Sequence, residues 1–205
     1  MDPKSHWETV YATKGPEDLS WYTPHLQRSL AYIQRTGLPT TASIIDVGAG
    51  EATLVDDLLG AGYRDVTVMD IAGSALQACR DRLGPRADAV TWMAVDVLAA
   101  RLPARSYDIW HDRAVFHFLT DKAQRGAYVR QVARALRPGG FAIVGTFGPQ
   151  GPGECSGLPV NRYDAGGLHA EFGAGFRLVE SSLEEHVTPW GVPQQFVYCL
   201  CRLDQ

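Results

Sequence analysis

A doubly wound α/β fold, with a mostly parallel seven-stranded sheet, helices on both faces and a C-terminal antiparallel hairpin, is predicted by three observations. The first is the stretch SIIDVGAGEAT, Ser43 to Thr53, where a β-branched run (Ile44, Ile45, Val47) meets Gly48-Ala49-Gly50 and then a helical pattern with Leu54, Val55, Leu58 and Leu59. The second is the recurrence of short apolar runs separated by helical stretches, the arrangement that builds parallel sheets. The third is at the C-terminus. There, strands at Phe176 to Val187 and Gln195 to Leu203 are joined by Pro189 to Pro193, too short for a crossover helix, so they pair antiparallel.

The elements follow in order. Residues 1–40 form a helical cap rich in aromatics (Trp7, Tyr11, Trp21, Tyr22), broken at Gly15-Pro16, with Leu26, Leu30 and Ile33 at helical spacing. The helix after the glycine turn stops near Gly60 and Gly62. Asp65 to Asp70 is the second strand, and a third runs from Ala89 to Val95, followed by Asp96 and Val97. Ser106 to Trp110 is the fourth strand, with the polar cluster His111-Asp112-Arg113 directly after it and His117 a little further on. Lys122 to Leu136 reads as an amphipathic helix with Tyr128, Val129, Val132 and Leu136 on one stripe, stopped by Arg137-Pro138-Gly139-Gly140 before the fifth strand, FAIVGTF. The stretch 148–161 is the longest without structure, and residues 148–163 are expected to be an active-site loop, because long loops in compact domains are usually functional or disordered. In the last strand Val197, Cys199, Cys201 and Leu203 share one face, so both cysteines read as packing residues.

Composition narrows the class. The 205 residues suit one well-buried domain, 1–205, with 45% hydrophobic and 20% charged residues and a formal net charge of −4. No Lys/Arg block supports a nucleic-acid or anionic-membrane surface, and neither an apolar leader nor a membrane-long apolar run is visible. A cytoplasmic protein, a monomer or weak dimer, is expected. The four cysteines match no zinc pattern and no metal is expected.

The glycine turn carries the functional signal. A dinucleotide motif would place a third glycine at position 53, where this chain has Thr53. Asp46, just before the turn, would repel a pyrophosphate and attract a cationic ligand. Asp70 lies twenty positions past Gly50, where an acid accepts hydrogen bonds from the ribose hydroxyls of an adenosine, a geometry that suits two adenosine cofactors alike.

The D-x-G-x-G of Asp46, Gly48 and Gly50 resembles motif I of the class I S-adenosylmethionine (SAM) dependent methyltransferases. The L-x-P-G-G at 136–140 and the C-terminal hairpin are similar to that family too, and the resemblance covers Trp7 to Leu203. It implies SAM as cofactor, with S-adenosylhomocysteine as product. Asp46 would lie near the methionine moiety, Gly48 and Gly50 against the cofactor, Asp70 on the ribose, Ile71 against the adenine, Asp96 on the adenine amino group and Val97 near the ring. W-E-x-x-Y followed by S-W-Y looks like the N-terminal segment of small methyltransferases, including lysine methyltransferases of elongation factors, which places Trp21 and Tyr22, and more weakly Tyr11, over the cofactor.

His111, Asp112, Arg113 and His117 then face the acceptor, and His111 also touches the cofactor. The histidines titrate near neutrality and Asp112 could orient either, so a proton acceptor is available. The Asn/Asp-Pro-Pro-Tyr/Phe of amino methyltransferases is absent, which argues against a base or amide nitrogen. Cys155 reads as a small loop residue or as a thiol for a soft acceptor. The expected function is methyl transfer to a small molecule (a thiol, metalloid or small metabolite). A protein lysine is the alternative, and a non-catalytic SAM-binding partner protein is the alternative of another class. NAD-dependent reduction fits least.

Overall fold

The computed structural model describes residues 2–204. Its β-strands are β1 (Ser43–Val47), β2 (Asp65–Asp70), β3 (Val90–Ala94), β4 (Tyr107–Arg113), β5 (Leu136–Phe147), β6 (Glu154–Cys155), β7 (Leu158–Pro159), β8 (Phe176–Val187) and β9 (Pro193–Leu203). The helices are α1 (Pro3–Thr13), α2 (Gln27–Arg35), α3 (Leu54–Gly60), α4 (Gly73–Leu83), α5 (Lys122–Ala135) and α6 (Ala165–Phe172). Seven strands form one sheet in the order β3-β2-β1-β4-β5-β9-β8, parallel through β5 and antiparallel at β9 and β8. The doubly wound sheet with its antiparallel end is as expected.

Strand alternation sorts the core into two layers. Ile44, Val66, Val68 and Ile109 face α2, α3 and α4, packing with Ile33, Leu54, Leu58 and Leu76. Ile45, Val47, Trp110 and Val144 face α5 and α6, packing with Tyr128, Val132, Leu168 and Phe172. Cys199 and Cys201 are buried in this second layer as packing residues. Each fully buried Leu or Ile contributes about 1.5–3 kcal/mol by leaving water.

Three boundaries differ from expectation. β4 runs on to Arg113, so His111, Asp112 and Arg113 are strand residues and not a cluster beyond it. Backbone pairing with β1 and β5 holds them there, outweighing the polarity that made them read as a loop. β5 begins at Leu136, and its pairing with β4 shifts between Tyr107 and Ile109, so Arg137-Pro138-Gly139-Gly140 forms an irregularity inside the strand, with Gly139 at φ +79. The stretch 148–161 is not structureless. It holds the β6–β7 hairpin, closed by Ser156 (φ 50) and Gly157 (φ 74), the left-handed pair that a two-residue turn needs.

α1 starts at Pro3, with the Asp2 carboxylate accepting from the Ser5 amide. It is pinned over the C-terminal edge of the sheet by Glu8, whose oxygens accept from the Gly73 (2.8 Å) and Ser74 (3.2 Å) amides at the start of α4. No helix among the described residues is long and apolar enough to cross a membrane.

Candidate functional site: a covered cavity at the C-terminal edge of the sheet

A cavity of about 330 Å³ opens where β1, β2, the β3 end and β4 terminate beneath α1 and the β6–β7 hairpin. Open α/β sheets bind ligands at this edge. The glycine turn forms part of its floor. The Gly48 and Ala49 amides donate to Met69 O at 2.8 and 3.1 Å, and the Gly50 amide donates to Asp70 Oδ2 at 2.8 Å. Gly48 (φ +67) and Gly50 (φ +53) need the freedom that glycine has. The chain's own side chains also occupy the space a Cβ would take, which would lie 1.8 Å from Val115 Cγ2 at Gly48 and 2.3 Å from the Tyr11 hydroxyl at Gly50. The glycines therefore admit Val115 and Tyr11.

Three acids at strand ends line the cavity: Asp46, Asp70 and Asp96. Asp70 also accepts from the Ala72 amide at 2.8 Å, yet burial pushes its carboxyl up to about 6 against those backbone bonds. Asp96 accepts from the Leu98 amide at 2.8 Å, so it caps the following turn while facing the cavity. Ile71 and Val97 line the same end.

The register of β1 against β4 places Asp46 beside His111 on one face. His111 Nδ1 donates to Asp46 Oδ1 at 2.7 Å; both side chains are buried, and His111 Nε2 has no partner. With Nδ1 carrying the proton, Nε2 is free to accept one.

The strand's period of two divides the cluster expected to face the acceptor. His111 and Arg113 line the cavity; Asp112, between them, points to the opposite face. There its carboxylate accepts from the Tyr128 hydroxyl (2.5 Å) and from the Val115 (2.8 Å) and Phe116 (3.1 Å) amides. Those bonds hold the bend at Ala114, whose φ of 72 is costly for a non-glycine residue. Burial raises the Asp112 carboxyl to about 6. Its expected place beside the acceptor is corrected to a structural one behind the strand.

His117 is likewise displaced. It lies in a short 3₁₀ turn, Phe116–Phe118, wedged between Phe118 and Phe147, with Nδ1 accepting from the Phe147 amide at 3.3 Å. Burial, with Arg113 nearby, lowers it to about 3, so it is neutral and not among the lining residues. Of the cap aromatics, Trp21 lines the cavity and Tyr22 does not. Gly50 too stands just outside the lining, behind Tyr11.

The acceptor side was only partly foreseen. Trp7 lies edge-on to both Trp21 (centroids 5.8 Å) and Phe118 (5.2 Å), and the β6–β7 hairpin brings Cys155, Leu158 and Pro159 to the same wall. Cys155 is buried, which pushes its thiol up to about 11. The regular spacing of Trp7 and Tyr11 on α1 was the one available signal for the aromatic wall. Among the described residues no group of His, Cys, Asp and Glu is arranged to hold a metal ion.

Strand order, the glycine turn and three acids at successive strand ends define a Rossmann-like protein built for an adenosyl ligand. A pyrophosphate would face Asp46, Asp70 and Asp96 along this end of the cavity, which disfavours a dinucleotide. Comparison agrees. Residues 44–140 match the family model described as Methyltransferase domain. The eEF1A lysine and N-terminal methyltransferase of Bos taurus is 22% identical over 141 residues, 66% of this chain and 20% of that protein. The chain thus spans about a fifth of that relative's length. A solved structure described by the conversion of a disulfide bond into a thioacetal group during echinomycin biosynthesis superposes with a TM-score of 0.75 at 22% identity, covering 98% of this chain and 93% of that one. The Burkholderia thailandensis 1,6-didemethyltoxoflavin-N1-methyltransferase, solved with 1,6-didemethyltoxoflavin and S-adenosylhomocysteine, gives 0.70 at 21% identity, covering 96% and 81%. The match over residues 44–140 and these likenesses support a class I SAM-dependent methyltransferase, a family whose cofactor is SAM.

Proposed function

We propose that the protein transfers a methyl group from SAM to a small-molecule acceptor, with His111, oriented by Asp46, as proton acceptor. The observation that carries this reading is the buried Asp46–His111 pair, with a free Nε2, in the wall of a cavity covered by α1 and the β6–β7 hairpin. Asp70 and Asp96 would hold the ribose hydroxyls and the adenine amine, Ile71 and Val97 the ring, Gly48 the cofactor's approach to the turn, and Trp21 the cover. Bound SAM supplies an electrophilic methyl on sulfur. The chain's task is to orient the acceptor in line with that methyl and to exclude water, and the aromatic wall does both. His111 Nε2 takes the acceptor's proton, and the Asp46 carboxylate stabilises the imidazolium that forms. Arg113 stands on the acceptor side.

A protein lysine has the eEF1A relatives in its favour. The cover of α1 and the β6–β7 hairpin narrows the cavity, which favours a small molecule over a protein surface. The first experiment is calorimetric titration with SAM, S-adenosylhomocysteine and NADH, followed by a screen of small metabolites, thiols and lysine peptides. Binding of both adenosyl ligands but not NADH is expected, and failure of both would sink the cofactor assignment. His111→Asn should then cut turnover by about 10²–10⁴-fold, the worth of a positioned base, with SAM affinity retained. Full turnover in that variant would remove the base. Turnover of lysine peptides alone would replace the acceptor, and no turnover of any acceptor would leave a SAM-binding partner protein.

A further inference from the structure

Arg113 ends β4 and lines the cavity on the side away from Asp70 and Asp96. A guanidinium carries five N–H donors; this one donates to Trp21 O at 3.1 Å and lies beside the Tyr198 hydroxyl, which leaves donors free. It lies over the Phe196 ring, 4.5 Å from the centroid, and among the described residues it makes no ion pair. A half-buried cation without a counter-charge is costly unless a partner arrives.

No acid lining the cavity forms an ion pair with it. Asp46, the nearest acid in sequence register, is committed to His111. His117 and His186 are both held neutral by burial, with the charge of Arg113 acting in the same direction. His186 Nε2 donates to Ser20 O at 2.7 Å, and the Cys155 thiol is protonated. Glu184 lies across from Phe196 on β8 but makes no ion pair with the guanidinium. Beside it Trp7 stands edge to face with Trp21 and Phe118, with Thr120 and Gln124 the polar residues further along the wall.

Resting on the methyl-transfer reading above, we infer that the acceptor is an apolar, planar-bodied carboxylic acid whose carboxylate is seated on Arg113. The guanidinium fork matches a carboxylate with two parallel hydrogen bonds, and the aromatic wall takes the body. The same charge disfavours a lysine ammonium at that point of the wall.

The test uses the full chain, with and without saturating S-adenosylhomocysteine, titrated with benzoate and phenylacetate against their neutral amides and against benzylamine. Quenching of tryptophan fluorescence and calorimetry are the readouts. The acids should bind at least about tenfold tighter than the amides, the worth of one hydrogen bond to a charged group, and benzylamine should not bind. Arg113→Met should abolish the preference and Arg113→Lys should keep part of it. Equal affinity for acid and amide, no saturable binding of either, or a preference that survives Arg113→Met would overturn the inference. So would a preference that appears only in Glu184→Gln, since Glu184 would then be the guanidinium's own counter-ion. Arg113→Met weakening S-adenosylhomocysteine but not 5′-methylthioadenosine would also overturn it, by assigning Arg113 to the cofactor's carboxylate. S-adenosylhomocysteine failing to bind would count against the methyl-transfer reading instead, and the titration without it would still decide Arg113.

Discussion

Replacing Tyr128 by Phe isolates what Asp112 does. The hydroxyl sits in a buried chain: Trp110 Nε1 donates to it at 2.9 Å, and it donates to Asp112 Oδ2 at 2.5 Å. All three side chains are fully buried. Removing the hydroxyl costs a hydrogen bond to a charged acceptor, about 1.5–3 kcal/mol, and strands the indole donor at about 1–3 kcal/mol. The expected loss is roughly 3–5 kcal/mol, a large share of a domain stability of about 5–15 kcal/mol. The loss must also depend on pH. In the folded chain the Asp112 carboxyl sits at about 6, above its ordinary value of 3.8, so folding gains stability as pH falls through that window. Tyr128 favours the ionised form, so its removal pushes the carboxyl higher still. The penalty is full only above the variant's raised value, where Asp112 is ionised in both proteins, and shrinks as pH falls from there through about 6. Urea unfolding at several pH values measures this, with S-adenosylhomocysteine calorimetry on the same samples. A loss under about 1 kcal/mol, a penalty that does not change with pH, or cofactor affinity that falls while stability holds would refute a structural role for Asp112.

Two further outcomes are expected. Gly48→Ala should cost about 2–5 kcal/mol in urea unfolding, of which about 1–2 is left-handed backbone strain and the rest the Val115 clash. Adding Val115→Ala should recover the second part only, and recovery of all or none would show that the two contributions are misassigned. Asp70, at about 6 in the free protein, must be ionised to accept from a ribose, so S-adenosylhomocysteine affinity should be flat above about pH 7 and fall below 6. Asp70→Asn should weaken binding by more than about 1.5 kcal/mol and remove that break, while an unchanged profile would take Asp70 out of the ribose site.

Much of this site was legible because its signals are local. Gly48 and Gly50 report a turn within three residues, and Asp70 and Asp96 report strand ends beside their own apolar runs. The antiparallel end of the sheet was legible from the short Pro189 to Pro193 connection. What could not be read depends on where a strand stops and what approaches from far along the chain. His111-Asp112-Arg113 is polar enough to pass for a loop, and only pairing to β1 and β5 makes it strand. The assignment of sides follows from that one fact, since consecutive strand residues cannot share a face. Alternation along β4 separates His111 and Arg113 from Asp112, while the Asp46–His111 pairing depends on the β1–β4 register, which no local spacing gives. Val115 at Gly48 and Tyr11 at Gly50 are contacts that no local spacing announces. A histidine ordinarily titrates near neutrality, yet burial of His117 between Phe118 and Phe147 removes that property.

The same alternation gives β4 a division of labour that constrains how any substitution here is read. Asp112 faces α5 and secures the Ala114 bend through the Val115 and Phe116 amides. That bend presents Val115 to Gly48 and carries the chain to Phe118 on the acceptor wall. A change at Asp112 therefore reaches the cavity through the backbone, without any contact between its carboxylate and a ligand. Loss of turnover in an Asp112 variant would look catalytic if activity alone were measured. Stability at matched pH separates the two: a positioning residue loses folding free energy and activity together, whereas His111 should lose turnover with cofactor affinity retained. Arg113 differs again, because its loss relieves an unpaired cation and should leave stability unchanged or raised while acceptor binding falls.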